Sequence, residues 1–249
     1  MFKKLFGKKV KTHISANVSP QEQALLNAIN EKKKTDPLIG MNIGGKEIND
    51  RLLKALNNEK GVHVESLLAI LGSLAGYSCH AAFREELIDT GKHSEKDIFT
   101  IIGGKNGKKY YFGDLPNKPL AEGQVSIWGS VAGILQHLGE GSLPDIKATF
   151  THVSSTIGGD GFGIPQVPDK HKPSDLPLNY VKTMWQPLLP IMDKFCERPI
   201  ERPILLGVAI QQAIEMAKDV IPPTIAAQLV MECAIPMSKI GPEWLIQQS

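Results

Sequence analysis

The sequence predicts a mainly α-helical globular fold, a multi-helix bundle with one small β-hairpin at about 97–113. Three observations predict it. Apolar residues recur at helical spacing through most of the chain, with Ser, Pro and Gly where helices start and stop. One segment breaks that period, placing β-branched and aromatic residues on both sides of a glycine-rich connection. A hydrophobic content of 42% over 249 residues is enough to bury a core, which excludes disorder of the whole chain.

Ser19-Pro20 opens the first helix, with Ser as N-cap, Pro at the first helical position and Glu22 at capping-box spacing; the helix runs to about Lys33. Gly44-Gly45 punctuates, and "KEINDRLLKALNNEKG" reads as a second helix closed by Gly61. "VHVESLLAILGSLAGYSCHAAFREELIDTG" is the longest periodic segment and ends at Gly91. "DIFTII" and "KKYYFGD" then flank "GGKNG" as the two arms of the hairpin.

Helical spacing returns from Glu122 to Leu138 and stops at Gly139. A shorter helix follows from Pro144 to about Ser155 with Gly158 as its C-terminal glycine, a strand through "TFTHVS" being the alternative. The last third reads as helices at about 177–196, 203–219 and 223–234, with Pro187 and Pro190 expected to kink or break the first of them. The chain thus divides into a basic leader (1–18), a helical region with the hairpin (19–157), a Gly/Pro-rich loop (158–177) and a C-terminal helical region (178–249) that can share one domain with the second.

Charge is unevenly placed. Removing Lys3, Lys4, Lys8, Lys9 and Lys11 from the net charge of +2 leaves the remainder at −3, so the body is mildly acidic. That argues against nucleic acid, which requires clustered Lys and Arg on the body. Residues 1–13 place Phe2, Leu5 and Phe6 at helical spacing among lysines and could make weak contact with an anionic membrane. A basic leader without structure is favoured, because Gly7 interrupts so short a helix. The same residues lack the uninterrupted apolar core of a signal peptide, and Cys79, Cys196 and Cys233 are widely spaced, which together predict reduced thiols in a cytoplasmic protein.

The glycine-rich stretch "TIGGDGFGIP" is the nearest approach to a catalytic signature. Gly161-Phe162-Gly163-Ile164 resembles the G-x-G-[IV] step of GHKL-type ATPases, but the adenine-binding aspartate would fall at Gly159, Asp160 lies one residue late, and Ser130–Pro144 contains no asparagine. Membership is excluded on those grounds. No Gly-Lys-Ser/Thr follows the glycines and no strand and helix bracket them, so the phosphate- and dinucleotide-binding motifs fail as well. A run of backbone N–H groups could cup an anion there, while a helix cap followed by a linker is the simpler expectation.

On the long helix, Ser66, Ser73, Tyr77, His80 and Arg84 fall within roughly 60° of one another at 100° per residue. A solvated face is the first expectation, and a polar pocket the second, since Tyr77, Cys79 and His80 are the only ionisable side chains between Glu65 and Arg84. A neighbouring face carries Gly72, Gly76 and Cys79, a smooth seam for close helix approach. Leu67–Phe83 carries no formal charge over nearly membrane length, yet Ser73, Ser78 and His80 interrupt it and mark a core helix. No histidine shows metal-ligand spacing, no G-x-S-x-G elbow occurs, and no cofactor motif is found.

Two functions are consistent with these residues. The first is a cytoplasmic helical binding or scaffolding protein whose partner is another protein. The alternative is an enzyme or small-ligand binder with a pocket made by Ser73, Tyr77, His80 and Arg84 of the long helix and Gly159, Asp160 and Gly161 of the glycine loop.

Overall fold

The computed structural model describes residues 19–246; the basic leader, and with it the expectation of a weak contact with an anionic membrane, lies outside them. Among the described residues the fold is mainly α with one two-stranded antiparallel sheet. The elements run α1 (Pro20–Lys32), α2 (Ile39–Leu56), α3 (Val64–Phe83), α4 (Glu95–Ile98), β1 (Thr100–Gly103), β2 (Lys109–Phe112), α5 (Asp114–Asn117), α6 (Ile127–His137), α7 (Ile146–Ser155), α8 (Pro177–Phe195), α9 (Arg202–Ala217) and α10 (Pro223–Met237).

α3 is the centre, with α8, α9 and α10 packed around it, and one apolar core runs from Ile29 on α1 to Trp244 near the C-terminus. α3 is long and apolar enough to cross a membrane, but 94% of its apolar window is buried inside the fold, as a core helix requires. The Gly72–Gly76 seam is used as its spacing predicts. A Cβ on Gly72 would come within 2.5 Å of the Val230 carbonyl oxygen, and one on Gly76 within 1.9 Å of the Ala234 carbonyl oxygen. α10 therefore lies against bare α3 backbone, where only glycine fits.

The same device corrects the reading of Gly44-Gly45. These glycines do not punctuate: α2 begins at Ile39 and runs through both. A Cβ on Gly44 would meet Leu205 at 2.7 Å and Phe195 at 2.9 Å, and one on Gly45 would meet the Ala209 backbone at 3.1 Å. The glycines are a packing seam for α9, and the gain in close packing outweighs their intrinsic cost of about 1 kcal/mol each in a helix.

Other boundaries follow local chemistry. The hairpin forms with Ile101 opposite Tyr111 and Ile102 opposite Tyr110. α6 starts at Ile127 rather than Glu122, because Ser126 caps it by accepting the Gly129 N–H at 3.0 Å. α7 is a helix and not a strand, capped by Asp145, and Gly158 after it takes φ +74°. α8 passes through Pro187 and Pro190 unbroken. Both prolines are exposed, so the carbonyls that lose their helical partners remain open to water. α10 likewise continues through Pro236 to Met237. α3 itself passes into one π-helical turn, Arg84–Ile88.

Candidate functional site

The polar stripe of α3 does not face solvent. Ser66, Ser73, Tyr77 and His80 are all buried. The hydroxyl of Ser73 donates to the Ala69 carbonyl at 2.6 Å, so it is satisfied within its own helix. Tyr77 packs edge-on to Trp185 at 4.7 Å. His80 lies between Phe99, stacked at 4.5 Å, and Tyr111, edge-on at 4.7 Å. Its Nε2 receives the Arg84 Nε–H at 3.2 Å, and because a guanidinium can only donate, His80 must be neutral at that nitrogen. Burial first, then the Arg84 and Lys239 charges, pushes the imidazole down to about 3. Arg84 continues the chain of contacts by pairing with Glu95 and lying over the rings of Phe99 and Tyr111.

The glycine loop stands elsewhere. Alternation along β2 sends Tyr111 toward His80 and Tyr110 toward the loop, where Tyr110 packs on Phe162 at 4.8 Å and its hydroxyl accepts the Gly158 N–H at 3.1 Å. Gly159 and Asp160 are exposed and Gly161 is half-buried. No hydrogen bond, ion pair or ring contact joins Gly159, Asp160 or Gly161 to Ser73, Tyr77, His80 or Arg84, and β2 meets His80 and Arg84 through Tyr111 but the loop through Tyr110. The amides of Gly158, Gly159, Phe162 and Ile164 already donate within the fold, which leaves little of a cradle for an anion.

Ser66 leads to a second polar cluster. Its Oγ lies 2.8 Å from His63 Nδ1 and 2.8 Å from Ser174 Oγ, and it accepts the Tyr180 hydroxyl at 3.1 Å. Glu65, beside it, lies 2.9 Å from His171 Nδ1. These bonds tie the 164–176 loop to the start of α3. Lys239 is also buried, its ammonium donating to Asn117 Oδ1 at 2.8 Å and lying over the rings of Phe112 and Phe150; burial pushes it down to about 8.

An open cleft of about 290 Å³ lies between α7 and α10, lined by Pro144, Asp145, Ala148, Thr149, His152, Gln166, Gln228 and Glu232. Helical spacing builds it. Asp145 at the N-cap, Thr149 and His152 share one face along α7, and Gln228 and Glu232 stand one turn apart on α10. Glu232 is 5% exposed. One of its carboxylate oxygens accepts the Thr149 hydroxyl at 2.9 Å and the other the Gln166 backbone N–H at 3.2 Å. Gln228 holds the loop down by donating to the Gln166 carbonyl at 2.6 Å. Burial raises the Glu232 carboxyl above its ordinary range, against the two hydrogen bonds that lower it. His152 Nε2 is buried and meets no hydrogen-bond partner.

Nothing in the sequence reading singled out this cleft. Its one local signal is that Glu232 is the only formally charged side chain on α10. Among the described residues no group of three or more His, Cys, Asp or Glu side chains is arranged to hold a metal ion. Comparison with protein-family models, with curated proteins and with solved structures gave no match.

Proposed function

We propose that this protein binds a small polar molecule in the cleft between α7 and α10. Glu232 carries the reading: a carboxylate with almost no exposure is held by Thr149 and Gln166 at an opening, and burying an ionisable group has a cost that packing alone does not require. Cleft, raised carboxyl and converging polar groups coincide here, the combination by which ligand sites are recognised. Function then resides in a concave site rather than on the surface of a protein-binding scaffold.

A thermal-shift screen of the full chain against polar metabolites, repeated with Glu232→Gln, tests the reading. A ligand at a hundred times its dissociation constant adds about 2.7 kcal/mol of stability, and the variant should lose that gain. Ligands that stabilise both proteins equally would place binding elsewhere.

A further inference from the structure

We propose that the ligand of this cleft presents a protonated amine, an inference that rests on the cleft being the binding site. What the lining groups still offer decides the chemistry. The Thr149 hydroxyl and the Gln166 N–H are committed to Glu232. The side-chain amides of Gln166 and Gln228 each donate one of their two N–H groups, to the carbonyls of Ile164 and Gln166 respectively, and keep one each. Acceptors are in surplus: the remaining lone pairs of the Glu232 carboxylate, the amide oxygens of Gln166 and Gln228, and the Asp145 carboxylate, of which Oδ1 caps α7 at the Ala148 N–H. No Lys or Arg lines the cleft.

An ammonium brings three donors and a positive charge to that surplus. A carboxylate or phosphate would instead meet Asp145 and Glu232 with like charge, a repulsion that grows as the contact is withdrawn from water. A neutral polyol could donate hydrogen bonds but would leave the buried charge of Glu232 uncompensated. With a volume of about 290 Å³, the cleft suits an amine-bearing fragment of metabolite size rather than a large molecule.

Ethanolamine, ethylene glycol and glycolate form a matched series that differs in a single group. Titrating each into the full-length protein, with the Gln166 backbone amide followed by NMR, reads the cleft directly. Ethanolamine should move that signal saturably, with affinity at least tenfold above the other two. Glu232→Gln should weaken ethanolamine at least tenfold, and Asp145→Asn, which keeps a helix-capping side chain, should weaken it less. The second variant carries the test if the first fails to fold. Glycolate or ethylene glycol binding as tightly as ethanolamine would overturn the amine inference while leaving the cleft as the site. Ethanolamine binding that is unchanged in both variants would overturn it as well. A Gln166 signal that no compound in this series or in the metabolite screen moves would overturn the cleft reading itself.

Discussion

Along α3 the polar side chains are met by neighbours inside the fold, whereas between α7 and α10 several are left facing an opening. Ser73 bonds to its own helix, and Arg84 is shared among His80, Glu95 and two aromatic rings. Glu232 is nearly as deeply placed, yet it lines a cleft together with Gln166, Gln228 and Asp145, whose side-chain oxygens keep acceptor capacity. Each region also holds one unpartnered histidine nitrogen that is itself buried, Nδ1 of His80 among aromatic rings and Nε2 of His152 on α7, so neither distinguishes the two. Burial of polar groups is therefore no mark of a site by itself. The distinction lies in whether a ligand can reach what remains unpaired.

The largest expected effect tests the closed region. Gly76→Val would drive side-chain carbons into the Ala234 carbonyl, so urea denaturation should show a loss at or beyond the upper end of the roughly 1–3 kcal/mol typical of overpacking. A loss below about 0.5 kcal/mol would mean that α3 and α10 are not in contact along this seam.

The next effect concerns acid. The folded His80 sits near 3 and its unfolded counterpart near 6.5, so between those values the unfolded chain binds a proton that the folded chain refuses. Its contribution is fully present above pH 6.5 and is lost as pH falls, at about 1.4 kcal/mol per unit, reaching roughly 3 kcal/mol by pH 4. Denaturation measured from pH 7 to 4 should show this slope. His80→Gln, which can still accept from Arg84 but does not titrate, should flatten it; an unchanged slope would assign the acid sensitivity to other groups.

Legibility followed the same division. Periodicity along one segment was enough to find α3, the hairpin and α7, because the pattern and its punctuation are local. The seam at Gly72 and Gly76 was readable for the same reason. Gly44 and Gly45 were not, since a helix break and a helix seam have the same missing Cβ, and the partner that distinguishes them, Ala209, lies on α9. The stripe through Tyr77 and His80 suggested water because the residues that cover it, Phe99, Tyr111 and Trp185, arrive from other parts of the chain. The cleft was invisible for the strongest version of that reason: Thr149 and Glu232 are 83 residues apart, and only α7 docking on α10 joins them.

The smallest stability effect belongs to the open region. Glu232→Gln keeps the acceptor for one of its two partners and removes a buried charge, so urea denaturation at pH 7 should show a change within about 1 kcal/mol. A loss of several kcal/mol would give Glu232 the same structural role as the α3 groups and remove the contrast.

The contrast is tested most directly by one titration, ethanolamine into the unsubstituted protein, His80→Gln and Glu232→Gln, followed at the Gln166 amide. The unsubstituted protein and His80→Gln should bind with the same affinity, whatever their difference in stability, and Glu232→Gln should bind at least tenfold more weakly. Equal binding by Glu232→Gln, or its loss in a folded His80→Gln protein, would contradict the assignment of the α7–α10 cleft as the site and of α3 as closed core.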